Sequence, residues 1–501
     1  MSRCLPWLVW ALCSACSVSG ERPSEPPNER PRQAPGDTSD GVRVSDASSS
    51  QRADAAPVPQ GGGAAGDAGA SARASAGADA GSGGPAALGD AGPDAGAEPA
   101  FITGLEKKDA YPASEYPEEN PYRPEKALLG KILFWEEQLS SHDTHACGTC
   151  HHASAGGSDP RAALNAALGA GPNGTFGDAD DARGSQGVVR CDSAGAPKPD
   201  PIYGLNVQVT ARKAPSVLDA LLFDELFWDG RAKGSFVDPV TGALAIRSGG
   251  ALESQAAGPP VSSVEMSCEG YGWSAIESKL AAAVPLKLAS QIPAAISEAL
   301  REHPTYPSLF EWAYGTPEVT AQRILFAIAT YERQLRSDQT PWDRFNAGDP
   351  GALTPDQQAG LALFNVKARC ATCHVPPRFT DNEFHNIGAQ SPDLDPGRSS
   401  ISGDPADVGK MKTPSLRNVG LRAAGGLLHS GTGSGATLRS VLGVYRQGGV
   451  YHENTAPEIL PMNLPEFEFE QLLEFLQNGL TDPRAAAELP PFDRPRLGSE
   501  Q

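Results

Sequence analysis

Two copies of one short pattern, Cys-x-x-Cys-His, constrain this 501-residue chain more than any other feature. Residues 147–151 read CGTCH and residues 370–374 read CATCH. In each copy two thiols can add to the vinyl groups of a haem while the following histidine binds its iron, which is the c-type attachment pattern. A zinc site would need further ligands near each copy, and a thiol redox pair needs no histidine. The sequence therefore predicts two covalently bound haem c groups, held by Cys147, Cys150 and His151 and by Cys370, Cys373 and His374.

Residues 1–19 have the composition of an export signal, as expected for a haem that is attached outside the cytoplasm. Arg3 precedes an apolar run over residues 5–13, and two small residues stand before Cys16. The apolar run is too short to span a bilayer as a helix. A cysteine at the cleavage position favours a lipoprotein signal over an ordinary cleaved one. We therefore expect a periplasmic protein whose contact with a membrane is a lipid on Cys16.

Residues 20–100 separate this signal from the body of the protein. The stretch has no aromatic residue and is rich in Ala, Gly, Pro, Ser and Asp, so it cannot bury enough apolar surface to offset the entropy of ordering it. It is predicted to be a disordered tether. The body is long enough for two domains with one Cys-x-x-Cys-His pattern each, which we place at residues 101–312 and 313–494.

The net charge indicates which classes of partner the protein can bind, and the remaining cysteines bear on the compartment in which it works. The net charge is -20 and no basic stripe is present, which excludes nucleic acid as a partner and suits a basic electron-carrier protein. Cys191 and Cys268 belong to neither haem pattern. In an oxidising compartment they are expected to form a disulfide, and thiolate binding to a metal is the alternative.

Helical patterns dominate the body. Thr316, Pro317 and Glu318 predict a helix start, after which Ile324, Ile328, Tyr331 and Leu335 share one face. Thr354 and Gln357 have the spacing of a capping box at the start of a second helix. A third helix is predicted from about Pro465 to Gly479. We therefore expect a mainly α fold of two cytochrome c-like haem domains with long loops.

Several longer blocks make the chain similar to a known family. They are LGKILFWEEQLSS (129–141), GGSD, APSVLDA, FWDGRA and LESQAAGPPVSSVEM in the first half, and AIATYERQLRS, FTDNEFHNIG, KTPSLRNVGL and HSGTGSGATLRSVLGVYRQGG in the second. Together they resemble the bacterial di-haem cytochrome c peroxidase and MauG family from Pro121 to Leu480. The resemblance implies an enzyme that reduces peroxide at the N-terminal haem.

The resemblance also implies roles for individual residues near the first haem. Glu265 matches the family's distal acid, although a glutamate taken alone is more often a solvated surface residue. Gln255 and Pro259 fall in the same pocket. Trp228 matches a tryptophan between the two haems, where it could carry electrons or simply pack as a core aromatic. No histidine follows within residues 153–204, so the first haem is expected to be open and five-coordinate at rest.

The second haem is expected to have a different axial ligand from most peroxidases. Tyr445 stands where the peroxidases have a methionine and MauG has a tyrosine. A phenolate favours ferric iron and lowers the potential, whereas a thioether raises it. The alternatives are Met411 and Met462, since Met266 belongs to the first pocket, and Tyr445 could also be only a core aromatic.

Departures from the family pattern affect a calcium ion and access to the first haem. Lys213 stands at the position of an asparagine that binds calcium in the family, and its ammonium group would repel the ion. We therefore expect calcium to be absent or bound elsewhere. Residues 160–200 and 236–250 are predicted insertions that reshape access to the first haem.

The sequence thus predicts an oxidoreductase that reduces hydrogen peroxide to water. Electrons are expected from a small donor protein, either a cytochrome c or a cupredoxin, through the C-terminal haem. One alternative is a MauG-like oxidase that uses a high-valent state shared by both haems to modify a partner protein. Another is a di-haem electron carrier without catalysis.

Overall fold

Helices form the framework of the chain, as its sequence predicts. The computed structural model describes residues 107–429 and 436–501, so the expected signal (1–19) and tether (20–100) lie outside the described residues. Among the residues described, no helix is both long and apolar enough to cross a membrane. In chain order the α-helices are α1 (Pro124–Phe134), α2 (Cys147–Cys150), α3 (Ala251–Ala256), α4 (Trp273–Ala282), α5 (Ala294–Glu302), α6 (Tyr306–Tyr314), α7 (Ala321–Glu332), α8 (Pro341–Ala347), α9 (Pro355–Asn365), α10 (Ser399–Ser402), α11 (Leu438–Gln447), α12 (Glu466–Glu474) and α13 (Pro483–Ala486).

The pair of helices α1 and α7 organises the first of two large hydrophobic clusters. Their backbones approach closely at Gly130, where a Cβ atom would lie 1.8 Å from the carbonyl oxygen of Ala327. A glycine at this point therefore allows the two helices to pack. Helices α4 and α6 contribute further apolar side chains, and the cluster covers the first Cys-x-x-Cys-His segment.

Helices α9 and α12 form the centre of the second cluster. It buries Phe364, Phe379, Leu472 and Phe475. The second Cys-x-x-Cys-His segment follows α9 after a short loop, and its first cysteine packs against this cluster. Each haem-attachment segment therefore has its own apolar support.

Helix boundaries agree with the sequence where the capping residues are local. Thr354 accepts a hydrogen bond from the backbone of Gln357 and caps α9 as predicted. The last long helix begins at Glu466 and ends near Gly479, as predicted. Its final turn, Phe475–Gly479, is π-helical. The helix expected at Pro317 begins later, at Ala321, because Thr320 caps it by accepting from the backbone of Arg323.

Within residues 107–429 and 436–501 the strands are short and occur as four two-stranded antiparallel pairs. The pairs β1–β2 and β5–β6 fall within the two predicted insertions, so each insertion carries a small hairpin. The pair β3–β4 lies beside the first haem-attachment segment, and β7–β8 lies beside the second. The strands are β1 (Leu168–Gly169), β2 (Ala182–Arg183), β3 (Gln186–Val189), β4 (Val207–Val209), β5 (Phe236–Val237), β6 (Leu244–Ile246), β7 (Phe384–His385) and β8 (Met411–Lys412).

The end of the chain returns to the first cluster. Phe492 and Leu497 are buried in the same core as α1 and α7. The backbone amide of Gly498 donates a 2.7 Å hydrogen bond to Glu137, which follows α1. The C-terminal segment, residues 487–501, therefore completes the core that supports the first haem-attachment segment.

Candidate active site

A cavity of about 720 Å³ lies beside the first Cys-x-x-Cys-His segment. Cys147, Cys150 and His151 form part of its wall. Helix α2 presents the two thiols on one turn, and the hydroxyl of Thr149 accepts from the backbone amide of Ala146 at 2.9 Å to cap that turn. The local fold thus directs both cysteines and the histidine toward one space.

A second cavity lies beside the second segment. Its wall includes Cys370, Cys373 and His374, and it also includes Tyr445 from α11. Burial raises the pKa of the Tyr445 phenol, so this group is neutral in the absence of a neighbouring cation. The two segments therefore open onto separate cavities with different side chains around them.

The histidines of the two Cys-x-x-Cys-His segments, His151 and His374, are held in the same way. Nδ1 of His151 donates to the carbonyl of Gly157 at 2.9 Å, and Nδ1 of His374 lies 3.1 Å from the carbonyls of Phe379 and Pro414. A histidine that donates from Nδ1 keeps Nε2 as a free lone pair for a metal. Burial lowers the pKa of both imidazoles, that of His374 to about 4, so both are neutral and could bind a metal.

Glu265 lines the first cavity together with Gln255 and Pro259. Burial raises the pKa of its carboxyl, while Ser262 and Arg231 oppose that rise. The backbone around it is fixed by strand β3, because the amide of Val188 donates to the carbonyl of Val264 at 3.0 Å. Glu265 therefore lies in the cavity beside the first Cys-x-x-Cys-His segment, and its role as the distal acid stays a prediction.

Strand β3 can approach the Glu265 turn because of a glycine. A Cβ atom on Gly187 would lie 1.8 Å from the carbonyl oxygen of Val264. Any larger residue would push the turn away from the strand. Gly187 thus helps to set the position of the acid within the first cavity.

Trp228 lies between the two cavities and lines both of them. Its indole nitrogen donates to the carbonyl of Lys213 at 2.8 Å, and its carbonyl accepts from the amide of Lys412 at 2.8 Å. The His429 ring packs edge-on against it with the ring centres 6.0 Å apart and lines both cavities as well. Trp228 is therefore both a packed aromatic and a bridge between the two sites.

All three candidate axial ligands for the second haem line the same cavity. Tyr445, Met411 and Met462 each contribute to its wall, whereas Met266 lines the first cavity as expected. Position alone therefore does not separate the phenol from the two thioethers. The assignment of Tyr445 as ligand stays a prediction.

Several buried polar atoms that the sequence did not single out also line the cavities. Nε2 of Gln186 and Oε2 of Glu332 in the first cavity, and Nε of Arg422 in the second, have no hydrogen-bond partner among the described residues. Buried polar groups normally have partners, so these atoms fit a bound group that carries both apolar and ionic parts. A haem, with its apolar ring and two carboxylates, has that character. The residues present thus fit the cofactor that the two motifs predict.

Lys213 is fully buried next to Trp228 and joins the two parts of the chain. Its ammonium group donates to the carbonyl of Gly426, and its backbone amide donates to the carbonyl of His429 at 2.8 Å. Burial and the nearby charge of Arg422 lower the pKa of Lys213 to about 7. The Lys213 side chain therefore lines the first cavity and reaches the backbone of the second half of the chain at Gly426.

The first predicted insertion forms part of the rim of the first cavity. Gly169, Asp180 and Asp200 from the insertion line it, and so do Ile202 and Tyr203, which follow the insertion. The expected disulfide between Cys191 and Cys268 is confirmed, and it ties the insertion to the segment that follows Glu265. Access to the first cavity thus runs past residues of the insertion. His145 also lines this cavity, two residues before the first haem cysteine, and the sequence did not single it out.

The chain is similar to proteins of one family. The family model described as di-haem cytochrome c peroxidase matches residues 124–351. The methylamine utilization protein MauG of Methylorubrum extorquens is 31% identical over 375 residues, which cover 74% of this chain and 82% of that protein. The chain belongs to the di-haem cytochrome c peroxidase and MauG family.

Other members of the di-haem cytochrome c peroxidase and MauG family support this membership. The cytochrome-c peroxidase IdrP1 of Denitromonas iodatirespirans is 27% identical, over 74% of this chain and 86% of that protein. A crystal structure of a MauG-like protein associated with microbial copper homeostasis shares the fold, with a TM-score of 0.54 and 24% identity over 77% of this chain and 97% of that one. Membership in the family implies haem c as the cofactor, consistent with the two cavities.

Proposed function

We propose that this protein is a di-haem c-type peroxidase that reduces hydrogen peroxide to two molecules of water with two electrons and two protons. Two haems, held by Cys147, Cys150 and His151 and by Cys370, Cys373 and His374, would supply the redox chemistry. The C-terminal haem would take electrons from a donor, and the N-terminal haem would pass them to peroxide. The observation that carries the proposal is Glu265, a carboxyl in the same cavity as Cys147, Cys150 and His151. A plain electron carrier would have no use for an acid there.

Glu265 is proposed to move protons within the first cavity. Peroxide needs a group that takes a proton from one of its oxygens and returns it to the other, so that water can leave. A carboxyl whose pKa is raised by burial binds that proton more readily at neutral pH than an ordinary glutamate does. Gln255 and Pro259 are proposed to shape the space in which peroxide lies.

Trp228 is proposed to carry electrons between the two sites. It lines both cavities, and an indole is among the most easily oxidised side chains. The hydrogen bond from its indole nitrogen to the carbonyl of Lys213 fixes the ring. Electrons are proposed to enter from a small basic donor protein, a cytochrome c or a cupredoxin, because the chain carries a net charge of -20.

The haem attachments are proposed as the sequence predicts them. Cys147 and Cys150 hold the first haem and His151 binds its iron, while Cys370 and Cys373 hold the second. His374 and Tyr445 are the proposed ligands of the second iron. Mass spectrometry of the exported protein should find two haem adducts, and an open first haem should give a high-spin ferric signal.

The remaining proposals concern the surroundings of the enzyme. We propose that it is periplasmic, anchored by a lipid on Cys16, and that the body consists of haem domains at residues 101–312 and 313–494. We also propose that no calcium ion binds beside Lys213, because its buried side chain already donates to the carbonyl of Gly426. Metal analysis of the purified protein tests this last point.

The test of the main proposal is the reaction of Glu265→Gln with peroxide. Stopped-flow mixing should show a slower reaction than that of the parent, with the haem content unchanged. Glu269→Gln is the matched control, because Glu269 lies four residues further on and pairs at the surface with Arg190 and Lys198. A parent rate in Glu265→Gln would overturn the role of the acid.

A second candidate function is a MauG-like oxidase that modifies a partner protein. Tyr445 in the wall of the second cavity and the similarity to MauG favour it. Stoichiometric peroxide added to the diferric protein separates the two functions. Loss of both ferric electron-resonance signals together would support the MauG-like function, whereas a reaction that needs prior half-reduction would support a gated peroxidase, in which the first haem is closed at rest.

A further inference from the structure

Glu332 is a buried acid that the proposed peroxide chemistry does not use. It is the last residue of α7, its exposed fraction is only 3%, and it lines the first cavity. Its Oε2 atom is buried and accepts no hydrogen bond from any described residue. An unpaired carboxylate oxygen inside a protein is costly, so the site needs an explanation.

Arg333, the residue that follows Glu332 in the chain, already forms an ion pair with another acid. Arg333 donates to both carboxylate oxygens of Glu253 at 2.8 and 2.9 Å, and Asn120 donates to the same carboxylate at 2.7 Å. Lys126 donates in turn to the side-chain oxygen of Asn120. This buried network satisfies Glu253 but leaves Glu332 without a counter-charge of its own.

The charged and titratable groups around Glu332 therefore favour its neutral form. Burial raises the pKa of Glu332 to about 8, repulsion from Glu253 on α3 adds to the rise, and Arg333 opposes it. From α2, Cys147 is electrostatically coupled to Glu332. A carboxyl in this setting keeps its proton at neutral pH and can lose it when the local charge becomes more positive.

A haem in the first cavity is the group whose charge changes next to this acid. An electron added in a low-dielectric space makes the surroundings more negative, which favours a proton on a nearby carboxyl. Glu332 is on the Cys147 side of the cavity and is separate in sequence from the proposed distal acid Glu265. It is therefore placed to respond to the oxidation state of the first haem.

We propose that Glu332 takes up one proton when the first haem gains one electron and releases it when that electron leaves. The electron comes from the donor protein and the proton from solvent, so charge in the cavity stays balanced. This inference needs the haem in the first cavity but does not depend on peroxide turnover. Glu332 would act as a positioning residue for a proton rather than as a group that attacks the substrate.

The test is a spectroscopic redox titration of the intact protein at a series of pH values on both sides of the raised pKa. The midpoint potential of the first haem should fall with rising pH. The slope should approach a tenfold change in equilibrium constant per pH unit, about 59 mV for a one-electron couple. Glu332→Gln, which keeps the shape of the neutral acid, should flatten this dependence.

Glu265→Gln is the matched control, because Glu265 is a second buried acid with a raised pKa in the same cavity. It should slow the peroxide reaction and leave the slope in place. An unchanged slope in Glu332→Gln, or a slope lost only in Glu265→Gln, would overturn the proposal. A parent protein that shows the slope but does not reduce peroxide would instead count against the proposed function alone.

A second measurement covers the case in which Glu332→Gln fails to fold. The infrared difference spectrum between the oxidised and reduced parent protein should show the carbonyl stretch of a protonated carboxylic acid that appears on reduction. Glu332→Asp should shift the position of this band. A parent spectrum without any carboxylic acid signal would refute proton uptake at Glu332.

Discussion

Removing the disulfide between Cys191 and Cys268 tests how the first cavity is held together. The bond joins residues that are 77 apart in sequence, and the loop that it closes carries Trp228, Gln255 and Glu265. The cavity wall thus depends on a long segment whose ends are fixed by one covalent link. We expect the replacement of both cysteines to destabilise this part of the protein.

The magnitude follows from the length of the closed loop. Cross-linking a loop of this length lowers the chain entropy of the unfolded state by an amount that corresponds to about 4.5 kcal/mol at 25 °C. The measurement is the free energy of unfolding from urea titration, followed by circular dichroism, for the parent and the double variant Cys191→Ser with Cys268→Ser. The variant should lose about 4.5 kcal/mol.

A second double variant controls for the new side chains. Both cysteines are buried, so serines there would also bury two hydroxyl groups. Cys191→Ala with Cys268→Ala has no such groups, and the loss common to both double variants is the effect of the bond. A common loss below about 1 kcal/mol would refute the reasoning, since a disulfide over such a loop should contribute more.

Four further predictions follow from single residues. Glu265→Gln should slow the reaction with peroxide by about 10²–10⁴-fold in stopped-flow mixing, the range for loss of an acid–base group. Tyr445→Phe should change the visible spectrum of the second haem, and an unaltered spectrum would rule out ligation by the phenol. Gly130→Ala should lower the unfolding free energy by about 1–3 kcal/mol in urea titration, because its Cβ would lie 1.8 Å from the carbonyl of Ala327. In the reduced protein, between the ordinary glutamate pKa of 4.5 and the raised value of about 8, the folded state holds the Glu332 proton and the unfolded state does not. The unfolding free energy should therefore fall by about 1.4 kcal/mol per pH unit as pH rises through that window, and Glu332→Gln should abolish this slope.

Sequence reasoning worked best where the cause is local. The capping pair Thr354 and Gln357 lies within one turn, so its effect does not depend on the rest of the fold. The helix start at Thr316 was misplaced because Thr320 offers an equally good cap four residues later. The sequence alone does not show which of two caps so close together starts the helix, because this depends on how α7 packs on α1.

Long-range contacts were beyond a reading of the sequence. The unpaired oxygen of Glu332 results from the pairing of Arg333 with Glu253, which lies 80 residues earlier. The block AIATYERQLRS contains both Glu332 and Arg333, but nothing in it shows which of them pairs elsewhere. The fold brings Tyr445, Met411 and Met462 to one cavity wall, so these candidates compete for the same place and only spectroscopy separates them.

Because the C-terminal segment packs in the same core as α1, the first half of the body depends on residues from its end to complete its folding. Phe492 and Leu497 complete the core beneath the first Cys-x-x-Cys-His segment, so we expect this core to close only after residues 487–501 have been synthesised. We therefore expect Cys147 and Cys150, the proposed attachment points of the first haem, to stay accessible for longer than their early place in the chain would suggest. A truncation or bulky tag at the C-terminus should therefore impair loading of the first haem more than that of the second, even though the second lies closer in sequence.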